Sequence, residues 1–345
     1  MAPFSPGVRS FFHVFRSRPK AELHLHLEGA IAPATLVRLA RRFREPIFPD
    51  LASVRARQRV GDFRDFLAFY RDVCRCLKTP ADYAAVARDL VRRLSRENIA
   101  YAEVYVSPAV IERIGLDWAG VRSALEQVFR RFENGSGRRV VVLLDSARQW
   151  GPDAAHRVLD LHEASPWPRV GGFGLGGDES SVPAREFRQV FDRVRRLSLA
   201  PLIHAGEWAG AESVAAALEE LKPDRIAHGF RAAEDPSVVT RLARLQTPLD
   251  LCPTSNVATR ALPPGERHPV LELLRAGVRV SLSTDDPGLF RSTLRAEFLE
   301  LARLGATRRE LEAVLSNGFA FGLRPVRRRV PVRRPRGISG PPPRR

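Results

Sequence analysis

The chain has 345 residues, 44% of them hydrophobic, which suffices for one large core and suits a single α/β barrel. Its formal charge of +17 is arginine-dominated, with nine arginines and no acid after Leu323 and lysine only at 20, 78 and 222, so we expect non-specific polyanion attraction at most and no specific nucleic-acid partner. No run reaches the roughly twenty apolar residues that span a bilayer, Cys74, Cys76 and Cys252 offer no disulfide framework, and Phe11 to Phe15 is too short for a secretory signal, so the expected setting is cytoplasmic without a membrane partner.

In chain order, residues 1–18 carry arginines and no acid and are expected to form a flexible extension. The body, 19–323, alternates apolar runs suited to buried parallel strands with amphipathic helical stripes. The strand-like runs are 21–27, 99–106, 139–144, 170–175, 201–204, 225–228, 248–251 and 278–283. Helical spacing joins Tyr83, Val86, Ala87, Leu90, Val91 and Leu94, then Val121, Leu125, Val128, Phe129 and Phe132, then Phe187, Val190, Phe191, Val194 and Leu197. Roughly Pro46 to Pro80, between the first two strands, is an insertion with helical segments, expected to cover a pocket mouth. Thr307 and Glu310 have the spacing of a capping box that starts a late helix. Residues 324–345 are an Arg/Pro tail of disorder-prone composition. Eight strands alternating with helices define an α/β fold, a (β/α)8 TIM barrel with extra helices between strand 1 and strand 2, and such barrels gather their sites at the carboxyl ends of the strands.

The chemistry-bearing residues fall at those ends. His24-Leu25-His26 places two imidazoles on one face of the first strand, half of a metal site. PLIHAGE brings His204 and Glu207 to strand five, RIAHGF brings His228 to strand six, and SLSTDDPG brings Asp285 and Asp286 to strand eight. Three imidazoles and a carboxylate suit one zinc-like divalent ion with a position open to water, and Glu207 stands where a carboxyl can exchange protons with a substrate. Other readings of single residues are open: His204 and His228 as core histidines, Asp285-Asp286-Pro287-Gly288 as a turn, Glu207 as a favourable helix start. All of them must hold at once to displace the metal site. His13, His156, His162 and His268 lie outside this set and are expected at the surface. The glycine run from Gly171 to Gly177 lacks phosphate-loop spacing and suits close backbone approach to a flat ligand.

Together the motifs HLHLEGA, GGDE, HAGE, AHGF, CPTSN and STDDPG, in this order between Pro19 and Leu323, resemble the adenosine deaminase family of metal-dependent barrel hydrolases. The resemblance implies one zinc held by His24, His26, His204 and Asp285; binuclear relatives bridge two metals with a strand-four lysine, which this chain lacks. It implies that Glu207 protonates purine N1, that His228 assists the zinc-bound hydroxide attacking C6, that Asp286 holds N7 and that the Gly177 N–H contacts N3. A small-molecule aminopurine would then lose ammonia and become the 6-oxo product. Glu28 stands where adenosine-specific members have Asp, and Tyr105 where many have Arg, so aminodeoxyfutalosine ranks beside adenosine, with adenine third. Two readings compete: a barrel amidohydrolase opening a ring amide or ester, and a non-catalytic polyanion scaffold.

Overall fold

The computed structural model describes residues 4–323. Eight parallel strands follow one another around a single sheet: β1 (Lys20–His26), β2 (Ile99–Val106), β3 (Arg139–Ala147), β4 (Val170–Gly176), β5 (Ala200–Ala205), β6 (Arg225–His228), β7 (Leu249–Leu251) and β8 (Val280–Leu282). The strands are apolar because helices cover one face and the barrel lumen the other; Val140 through Leu144 are all buried. β8 returns to β1 just beyond its end, where Asp285 N–H donates to His24 O at 3.1 Å and His26 N–H to Asp285 O at 3.0 Å. Ser283 Oγ accepts from the N–H groups of Leu23 and His24, each at 3.1 Å. The seam that closes the barrel therefore also fixes three site residues.

The helical stripes pack as expected. In Pro80–Arg96 the residues Tyr83, Val86, Ala87, Leu90 and Leu94 are buried, and Trp118–Ser136 buries Val121, Leu125 and Phe129 before Gly137 ends it at φ +66°. Thr307 and Glu310 close a reciprocal capping box on Arg308–Phe321. The insertion forms the helices Leu51–Arg57 and Phe63–Arg75. It lies across the barrel mouth: Phe63 packs on Trp208 with ring centres 4.6 Å apart, Phe66 on Phe290 at 5.3 Å, and Gln58 Nε2 donates to Gly288 O at 2.9 Å.

The amino-terminal segment differs from the flexible extension expected for it. Pro6–Phe15 is a helix capped by Ser5, and Val8, Phe11 and Phe15 form a stripe that is buried. Phe11 and Phe15 meet Phe298 of the helix Leu294–Arg303 at 5.9 and 5.0 Å. Burying each ring contributes about 1.5–3 kcal/mol, enough to dock a ten-residue helix that would not persist alone. The Arg/Pro tail lies outside the described residues, among which no helix is long and apolar enough to cross a membrane.

At the opposite end from the insertion, the lumen is plugged by Arg225. Its guanidinium pairs with Glu103 and Asp250 and also donates to Phe321 O at 2.9 Å and Leu23 O at 3.3 Å, all three charged side chains being buried.

Candidate metal and catalytic centre at the barrel mouth

Strand alternation turns His24 and His26 to the same side of β1, and their Nε2 atoms stand 3.2 Å apart. His204 from β5 brings its Nε2 to 3.0 Å from His24 and 3.3 Å from His26. Asp285, after β8, places Oδ1 3.4 Å from both His24 and His26 Nε2. His228, ending β6, packs against the same group, its ring centre 4.9 Å from that of His24, with Nε2 3.9 Å from Asp285 Oδ2 and 3.5 Å from Glu207 Oε2. The backbone bends sharply to do this: His228 and Asp285 sit at φ +60° and +62°. Left-handed conformations of non-glycine residues cost about 1–3 kcal/mol and persist where the surroundings over-determine them.

Burial keeps these imidazoles neutral. It pushes His24, His26 and His228 well below the usual histidine range, and His204 to about 4. Neutral rings present lone pairs, and three Nε2 atoms converging with a carboxylate oxygen, with no positive group among them, form a donor set in want of a cation. Donors about 2.1 Å from one tetrahedral ion lie about 3.4 Å apart, the spacing seen here. His24, His26 and Asp285 are therefore spaced to hold one divalent ion, and His204 stands beside the two imidazoles. Their outer contacts suit ligation as well: Ser255 Oγ donates to Asp285 Oδ2 at 2.7 Å, the Cys252 thiol lies 3.7 Å from His24 Nδ1, and the Tyr105 ring stacks on His26 at 4.9 Å.

Glu207 lies on the turn after β5. Its neighbours are held by Glu179, whose Oε2 accepts from the N–H groups of Glu207, Trp208 and Ala209 at 3.1, 2.8 and 2.9 Å, while Oε1 accepts from Ser213 Oγ at 2.9 Å. Burial, together with the charges of Asp285 and Glu179, pushes the Glu207 carboxyl well above the usual range, favouring the protonated form. Asn256 Nδ2 donates to Glu207 Oε1 at 3.3 Å and to His228 Nδ1 at 3.1 Å. His268, expected at the surface, is instead buried, because its ring packs on Phe230 with centres 5.1 Å apart and its Nε2 meets Asn256 Oδ1 at 3.2 Å. Asn256, Ser255 and Glu179 sat inside motifs that the resemblance named, CPTSN and GGDE, without a role of their own; His268 had no sequence signal beyond its residue type.

The three expected substrate contacts occupy different positions. Asp286 is buried with Oδ1 lacking any hydrogen-bond partner among the described residues, and burial beside Asp285, Glu207 and Glu28 pushes its carboxyl strongly up. Asp286 lies so close over Gly29 that any Cβ there would collide with it, which explains the glycine of HLHLEGA. Glu28 is also buried and pushed up by desolvation, but its oxygens are taken: Tyr70 and Tyr83 hydroxyls donate to them at 3.1 and 3.2 Å. Gly177 follows β4 at φ +83°, next to Gly176, whose Cβ position lies 3.4 Å from His204 Nδ1. His13 is exposed, and His156 and His162 are half-buried on the helix Gly151–Ala164, away from the centre.

Eight parallel strands with a histidine and aspartate cradle at their carboxyl ends define an amidohydrolase-type TIM barrel. The sequence profile of the adenosine deaminase family matches residues 19–330. An adenine deaminase from Chelativorans sp. (strain BNC1) is 35% identical over 87% of this chain and 92% of its own length, and an aminodeoxyfutalosine deaminase from Streptomyces avermitilis is 35% identical over 83% and 81%. The crystal structure of an amidohydrolase from Burkhoderia ambifaria with bound Zn superposes with a TM-score of 0.83 at 26% identity, covering 93% of this chain and 89% of that one. The chain belongs to the adenosine deaminase family, whose members are hydrolytic deaminases acting on C–N bonds.

Proposed function

We propose that this protein deaminates a 6-aminopurine hydrolytically, releasing ammonia and the 6-oxo purine. The observation that carries the reading is the pairing of a cluster of metal-ligating side chains with a half-buried Glu207, its carboxyl pushed up toward the acid form, 3.5 Å from His228. Zinc bound by His24, His26, His204 and Asp285 would supply a nucleophilic water at neutral pH. Glu207 delivers its proton to ring nitrogen N1, which draws electron density from C6 and opens it to attack; the resulting carboxylate then carries the proton of the added hydroxyl to the amino group, which leaves as ammonia while C6 becomes the carbonyl carbon. His228 orients the attacking oxygen. Asp286, protonated, donates to N7, an acceptor that a carboxylate would repel. The Gly177 N–H meets N3 along the other edge of the ring. The insertion with Phe63 and Phe66 excludes water from the bound base.

Two nucleosides, adenosine and aminodeoxyfutalosine, and the free base adenine are the substrate set. Curated relatives of equal identity carry the names adenine deaminase and aminodeoxyfutalosine deaminase. Ammonia release from the three compounds, assayed side by side with metal analysis of the same preparation, should show turnover of at least one with about one zinc per chain. Inactivity on all three with a full metal complement would overturn the proposal.

A further inference from the structure

A hydrogen-bond chain that starts from one obligatory donor runs to Glu207 and His228 from behind. Its far end is the backbone N–H of Val270, which can only donate and does so to His268 Nδ1 at 3.2 Å. That nitrogen carries no proton, so the His268 proton sits on Nε2, 3.2 Å from Asn256 Oδ1. The donated hydrogen settles which end of the amide is oxygen. Asn256 therefore turns Nδ2 toward the mouth, and its two hydrogens have one taker each, Glu207 Oε1 at 3.3 Å and His228 Nδ1 at 3.1 Å. Since His228 Nδ1 accepts, the proton of the neutral ring stands on Nε2, facing Glu207 Oε2 at 3.5 Å; the acid proton of Glu207, kept off Oε1 by the Asn256 N–H, is on Oε2 and turned away from that ring N–H. Phe230 lies against the His268 ring at 5.1 Å and limits its rotation.

We propose that His268, acting through Asn256, is a positioning residue that fixes His228 as its Nε2–H tautomer and holds Glu207 opposite it. The inference rests on the deaminase reading for the consequence it has in catalysis. A His228 that presents N–H to the reacting oxygen meets it as a donor, stabilising the charge that oxygen carries; it does not remove a proton. Proton transfer to the purine then belongs to Glu207 alone. Were the amide reversed, Asn256 Oδ1 would face the Glu207 carboxyl and require a proton on His228 Nδ1, and Nε2 would reach the mouth bare.

Two measurements test this. In metal-loaded wild-type protein, long-range proton–nitrogen correlation spectra of the histidine rings, with His228 assigned by its absence in H228Q, should show an unprotonated Nδ1 and a protonated Nε2; the opposite tautomer overturns the proposal. Kinetically, H268M should lower kcat about 10-fold or more with KM changed by less than about 2-fold, the scale of losing an outer hydrogen-bond partner. H268Q, whose amide offers a donor and an acceptor, should recover most of that loss. Wild-type kcat in H268M, or H268Q no better than H268M, overturns it. Failure of the wild-type protein on every 6-aminopurine would instead overturn the functional reading, and the wild-type spectrum would still decide the tautomer.

Discussion

The two ends of the barrel lumen bury charge in opposite ways. At the floor, Arg225 sits between Glu103 and Asp250, and against its burial their charges hold the guanidinium above its usual range. At the mouth, Glu28, Glu207, Asp285 and Asp286 are gathered with no lysine or arginine paired to any of them among the described residues, and burial pushes all four carboxyls up, Asp285 to about 6. The floor pairs both of its carboxylates with an arginine of the chain itself and serves the fold. At the mouth, histidine and carboxylate groups are spaced so that they could hold a metal ion, and Asp286 Oδ1 has no hydrogen-bond partner among the described residues. Burial is common to both ends; a basic partner within the chain is present only at the floor among the described residues.

Substitutions at the two ends should therefore separate stability from activity. The largest effect is expected at the mouth, where Glu207→Gln removes the transferable proton and should lower kcat by about 10²–10⁴-fold with bound metal retained. At the floor, Arg225→Met strands two buried carboxyls and should lower unfolding stability by about 3–5 kcal/mol, read by denaturant titration, while the fraction still folded keeps its kcat. Smallest is Tyr70→Phe, which removes one of the two hydroxyls on Glu28 and should cost about 1 kcal/mol, because Tyr83 remains in place. Arg225→Met that leaves stability unchanged but abolishes turnover would erase the distinction between the ends.

The parts of the molecule legible in the sequence are those with local periods. Alternation put His24 and His26 on one face, and apolar runs separated by helical stripes ordered all eight strands, since each pattern lies within a window of ten or so residues. Partnerships across the chain left no such trace. His268 finds Asn256 at a separation of 12 residues, but Asn256 reaches His228 across 28 and Glu207 across 49. Tyr83 belongs to an apolar stripe, which says nothing of its hydroxyl, and that hydroxyl reaches back 55 residues to Glu28. The stripe of Val8, Phe11 and Phe15 gains its value from partners at the other end of the chain, Phe298 and the helix Arg308–Phe321.

The most direct test is a paired measurement on metal-loaded Glu207→Gln: its unfolding free energy beside its rate of ammonia release from whichever 6-aminopurine the wild-type protein turns over. A neutral amide replaces a buried acid that the fold does not need ionised, so stability should match or exceed that of the wild type while release falls at least about 100-fold. A variant that loses more than about 2 kcal/mol of stability, or keeps its rate of ammonia release, would contradict a mouth organised for proton delivery to a purine.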